Sequence, residues 1–222
     1  MAGFYERLVA ETETERSNLI SIPIIQQALR GEVDKSQYID FLQQAYHHVK
    51  HTVPLLMACG SRMGGNYMWL QPAIAEYIEE EIGHDEWILN DLKACGADAE
   101  SIRHSRPSFE TEMMVSYAYH QIDRGNPISF FGMVLVLEGT SIALATHAAS
   151  AIQLSLGLPD HAFTYLNSHG SLDQGHVKFF QNLMNQVNHE ADQQSILHSA
   201  RCFFRLYGDI FLSLQPVAAV KH

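Results

Sequence analysis

Residues 168–180 read SHGSLDQGHVKFF, and they contain two imidazoles and one carboxylate at helical spacing. On an α-helix the offsets of four and seven residues from His169 to Asp173 and His176 fall within a stripe about 60° wide. The same stripe runs on through Phe180, Leu183 and Val187, so these polar groups point where a core should be. Either they satisfy one another or a cation sits among them.

Two further segments make the same demand. In QPAIAEYIEEEIGHDEWILNDL, the apolar face defined by Ile74, Tyr77, Ile78, Ile88 and Leu92 has Glu81 at its centre. His84 and Asp85 flank it, whereas Glu76 and Glu80 fall well off it, as solvated charges do. Glu81 and His84 thus form a Glu-x-x-His pair turned inward, the arrangement by which one bundle helix offers a carboxylate and an imidazole to a metal. Glu138 lies within FFGMVLVLEGTSIALATHAA, and residues 127–157 contain no Lys or Arg to pair with it. A buried carboxylate must be neutralised, paired or coordinated.

Each element alone has a plainer reading. A Glu-x-x-His pair is common on helix surfaces, and a core Glu can be met by a Tyr or His. Taken together, Glu81, His84, Glu138, His169, Asp173 and His176 supply three carboxylates and three imidazoles, a set that suits two first-row divalent metals. His48 and His51 are also at ligand spacing but lack a carboxylate, and with Asp85 and His147 they are expected as outer residues or pocket lining. Cys59, Cys95 and Cys202 have no identifiable base and read as buried thiols.

Positioning these groups falls to helices. The period is helical almost throughout, over roughly 2–16, 21–30, 35–62, 69–94, 108–124, 127–157, 160–167, 169–188 and 190–215, with no alternating strand. Asp34 is a natural N-cap, and Pro54 is expected to kink the third helix. No linker or repeat divides the chain, so residues 1–222 are expected to form one all-α domain. The segment around Glu138 approaches membrane length, but its charge favours a buried core helix. A net charge of −11 over 222 residues disfavours nucleic acid. A charged N-terminus, no basic run and three scattered cysteines indicate a cytoplasmic protein without a membrane partner.

The order Glu81-x-x-His84, Glu138, His169-x-x-x-Asp173-x-x-His176 on a helical chain of this size resembles the heme-oxygenase-like diiron oxidases. That family shares its fold superfamily with heme oxygenase, the TenA thiaminases and the PQQ synthase PqqC. The resemblance implies a single-domain helical bundle around a cavity, with those six residues as ligands to two Fe(II) ions. It also implies O₂ as co-substrate and the desaturation, cleavage or oxygenation of a small organic substrate. An electron-donor partner and a homodimer are further expectations. Heme oxygenases bind heme through a histidine on the first helix, and here none precedes His47. A metal-free TenA- or PqqC-like enzyme and a non-catalytic metal-binding protein are the alternatives.

Overall fold

A computed structural model describes residues 3–171 and 173–214, with the side chains of 169–175 outside that description. The described residues form thirteen α-helices joined by short turns and three 3₁₀ segments, with no strand. The order is α1 (Phe4–Glu11), α2 (Glu13–Ile20), α3 (Pro23–Leu29), α4 (Lys35–Val49), α5 (Thr52–Arg62), α6 (Gln71–Glu81), α7 (His84–Ala94), α8 (Ala99–Arg103), α9 (Phe109–Arg124), α10 (Phe130–Leu156), α11 (Thr164–Ser171), α12 (Asp173–Met184) and α13 (Glu190–Ser213). The all-α expectation holds, and the helices share one hydrophobic core.

The centre is α10. It packs against α3, α9, α11 and α13, and its N-terminal half buries Phe130, Phe131, Met133, Val134 and Val136. It is long and apolar enough to cross a membrane by length and composition, and half of its most apolar window is buried in the fold. Gly132 sets its approach to α13: a Cβ there would lie 2.6 Å from the Ala200 backbone nitrogen, so only glycine admits this crossing. Around this pair, α4 packs on α7 and α9, and α5 on α6 and α9.

The start of α4 is as read from the sequence. Asp34 accepts from the Gln37 backbone nitrogen at 2.9 Å, and the Gln37 side chain accepts from the Asp34 nitrogen at 2.9 Å, a reciprocal capping box. The expected helix over 35–62 is instead two helices, divided at Lys50–His51. Pro54 is the third residue of α5, within the first turn, where a missing N–H costs nothing. The expected helix over 69–94 is also divided, at Ile82–Gly83. Gly83 has φ +91°, a left-handed conformation open to glycine, and Ile82 is extended with ψ 122°. The segment 2–16 is divided at Thr12, and 169–188 is spread over α11 and α12, with residue 172 outside the described set.

Candidate metal centre

Two carboxylate–imidazole pairs meet at the end of α6, one of them across the break at Gly83. Glu81 is the last residue of α6 and His84 the first of α7. The His84 Nδ1 donates to Glu81 Oε2 at 3.1 Å, with the imidazole buried and tilted by 32° against the Trp87 ring at 4.1 Å. The pair therefore spans a turn rather than one helix face, which corrects the continuous-helix expectation.

Glu80 departs further from expectation. It is half-buried, and its Oε1 lies 3.2 Å from His176 Nε2 of α12. The solvated charge expected there is a partner of one of the predicted metal ligands. Three consecutive carboxylates, Glu79 to Glu81, also end α6, where the helix dipole is negative. A cation would relieve that repulsion.

Glu138 comes from mid-α10 and faces a cavity of about 60 Å³ that Glu81, His48, Tyr77, Tyr165 and Tyr207 also line. No Lys or Arg lines it among the described residues. Burial raises the Glu138 carboxyl well above the usual carboxylate range, and the nearby charges of Glu81 and Glu80 raise it further. Burial likewise raises the phenols of Tyr77 and Tyr165. Through Ser141, Tyr165 and Tyr207 this cavity adjoins an apolar chamber of about 90 Å³ between α3, α4 and α10, walled by residues such as Ile24, Leu29, Phe41 and Leu144.

The six predicted ligands fare differently. Glu81 and Glu138 share the cavity, and His84 bonds Glu81. His176 lies beside Glu80. The side chains of His169 and Asp173 lie outside the described residues, and among those described no three His, Cys, Asp or Glu groups converge as a metal cage. Of the expected outer residues, His48 alone lines the cavity, edge-on to Tyr207 at 6.0 Å. His51 is turned to the Tyr119 hydroxyl at 3.2 Å. His147 is exposed and donates to the Leu29 carbonyl at 3.1 Å, so it does not share Glu138's cavity. Asp85 is half-buried at the second position of α7, outside the lining.

Sequence reasoning passed over two residues that the structure makes prominent. Asp91 is fully buried, and its two oxygens accept from the Thr164 and Tyr165 backbone nitrogens at 3.1 and 2.9 Å. It caps the first turn of α11, the helix that carries His169. Its spacing of seven from His84, on the same face, was the available signal. By sequence Tyr77 reads as apolar packing, although it stands one turn before Glu81 on the same face.

The described donors are carboxylate oxygens and imidazole nitrogens, with anionic charge uncompensated by Lys or Arg in the cavity. That chemistry fits divalent iron. Comparison with known proteins agrees at the level of family. Residues 39–208 match the family described as iron-containing redox enzymes. The chain belongs to that family. No curated protein matches it. Among solved structures it is similar to a protein of unknown function with a heme oxygenase-like fold from Shewanella denitrificans, with TM-score 0.85 at 22% identity over 96% of this chain and 92% of that one. It is also similar to a TenA homolog from Pseudomonas syringae pv. tomato, with TM-score 0.80 at 11% identity over 95% and 91%. Heme oxygenase-1 from the cyanobacterium Synechocystis, in complex with heme, gives TM-score 0.74 at 14% identity over 96% and 93%. These likenesses show the heme-oxygenase-like fold.

Proposed function

We propose that this family member is a non-heme diiron oxidase, using O₂ to desaturate, cleave or oxygenate a small organic substrate. Glu81, His84, Glu138, His169, Asp173 and His176 would hold the two irons. When bound, the metal pair supplies the electrons that activate O₂. The protein's own groups orient the substrate, exclude water and hold protons. The apolar chamber next to the cavity suits a partly apolar substrate, and an electron donor would return the metals to Fe(II).

The observation that carries this reading is Glu138: a carboxyl from the central helix, raised by burial and by two neighbouring carboxylates, in a cavity that no Lys or Arg lines among the described residues. A metal-free TenA-like enzyme is the second reading, favoured by the likeness to the Pseudomonas syringae TenA homolog. Against it, none of the three thiols lines the cavity. Burial pushes Cys59 up to about 12, far from a nucleophilic thiolate.

The test is anaerobic titration of metal-free protein with Fe(II), followed by admission of O₂ while the visible spectrum is recorded. Two irons per chain and an oxygen-dependent spectral change are expected. Iron that stays silent to O₂ leaves a metal-binding protein, and no iron at all favours the TenA-like enzyme.

A further inference from the structure

Tyr77 carries a polar group that the fold leaves without an answer. Its residue is 3% exposed, and its hydroxyl has no hydrogen-bond partner among the described residues. Leaving a buried donor unmet costs free energy that folding does not recover, so such a group calls for an explanation such as a water, an ion or a ligand. The surroundings say what. Tyr77 lines the same cavity as Glu81 and Glu138, and its ring is held edge-on by Phe179 of α12 at 5.5 Å and 66°. That packing fixes the ring's direction. Burial, followed by the charge of Glu138, keeps the phenol protonated and therefore a donor. In a cavity rich in carboxylate acceptors, the hydroxyl is bonded to none of them.

We propose that the Tyr77 hydroxyl is a positioning donor for the ligand that enters this cavity, hydrogen-bonding an acceptor oxygen or nitrogen of a small anionic or carbonyl-bearing molecule held at the metal centre. The assignment rests on the metal-centre reading above. It gives the site a neutral donor facing its acids, so that an acceptor group is recognised by Tyr77 while the metal-ligating carboxylates remain committed elsewhere. Phenylalanine at this position would keep the ring packing on Phe179 and remove only the donor.

The test uses Tyr77→Phe with azide as the probe, a small anion that accepts hydrogen bonds and reports its binding to ferric iron by absorbance. Two quantities are read for wild type and variant: the unfolding temperature of the metal-free protein, and the azide Kd of the iron-loaded protein at measured iron stoichiometry. Expected are an unfolding temperature equal to or above wild type, unchanged iron content, and azide binding weaker by roughly ten- to a hundredfold, the loss of one hydrogen bond to a charged acceptor. Tyr117→Phe, which alters a phenol packed on Phe203 outside the cavity, should leave azide binding unchanged. An unchanged azide Kd in Tyr77→Phe overturns the proposal while leaving the diiron reading intact. So does a metal-free variant that unfolds several degrees earlier, which would make the hydroxyl a structural bond, or equal weakening in Tyr117→Phe. Wild-type protein that binds no iron overturns the diiron reading itself, and this assignment with it.

Discussion

Glu138→Gln separates a structural carboxyl from a metal-holding one, because the two roles predict opposite signs. In the metal-free protein, burial and the Glu81 and Glu80 charges hold the Glu138 carboxyl above its unfolded value. The folded state then binds more protons than the unfolded one as pH rises past the ordinary carboxylate range. Stability is therefore present in acid and lost as pH climbs through the raised pKa. Glutamine has nearly the same shape and never ionises, so metal-free Glu138→Gln should match wild type in acid, below the ordinary carboxylate range, and exceed it increasingly as pH rises through neutrality. With metal the sign reverses. A site at a hundredfold excess of metal over Kd stabilises the fold by about 2.7 kcal/mol, which for a chain of this length raises Tm by about 5–11 °C. Removing a ligand should erase most of that rise. The assay is differential scanning fluorimetry of both proteins, with chelator at acid and neutral pH and with anaerobic Fe(II) at neutral pH. A metal-free variant less stable than wild type by about 2 kcal/mol or more would mean that Glu138 is a satisfied structural carboxyl. An equal metal-induced rise in both proteins would refute its place in the centre.

Two further outcomes test other parts of the argument. Asp91→Ala removes the acceptor of two backbone N–H groups at the start of α11, so it should cost about 2–3 kcal/mol by denaturant unfolding; a loss below about 0.5 kcal/mol would show that α11 does not depend on this cap. His47 is held down to about 4 by burial and by the Lys50 charge, while its nitrogens meet the Ser105 hydroxyl and Lys50 Nζ. A depressed histidine contributes stability that is complete above its unfolded pKa near 6.5 and lost as pH falls from there towards 4. Discounted for solvent screening, the loss is about 1–2 kcal/mol. Unfolding curves at pH 7 and pH 5 should therefore differ less in His47→Gln than in wild type, and equal differences would remove His47 as the cause.

Much of this molecule is legible as a string. Helical periodicity with no alternating strand sets the all-α class. The Asp34 cap is encoded by residues three apart. Glu138 is placed in the interior because the eight residues before it, Phe130 to Leu137, carry no polar side chain, so no assumption about phase is needed. Glu81 was placed correctly for a similar reason, since Ile74, Tyr77 and Ile78 precede it on one unbroken helix. The family resemblance rested on six such positions, and the match over residues 39–208 bears it out at family level.

What the tertiary structure decided begins where the helix phase is lost. Advancing 100° per residue relates Glu81 and His84 only if the helix is continuous, and the left-handed Gly83 resets that phase between them. His84 consequently reaches Glu81 across a turn. Glu80, on the unbroken part of α6 and solvent-facing by periodicity, meets His176 because α12 comes alongside it. Asp91 and Tyr77 show the same limit from the other side. Both lie on faces that periodicity correctly marks as inward, yet periodicity measures only whether a residue is buried. Whether a buried carboxylate caps a distant helix, or a buried phenol has an acceptor, depends on atoms contributed by segments far along the chain. Those neighbours exist only after the helices have packed.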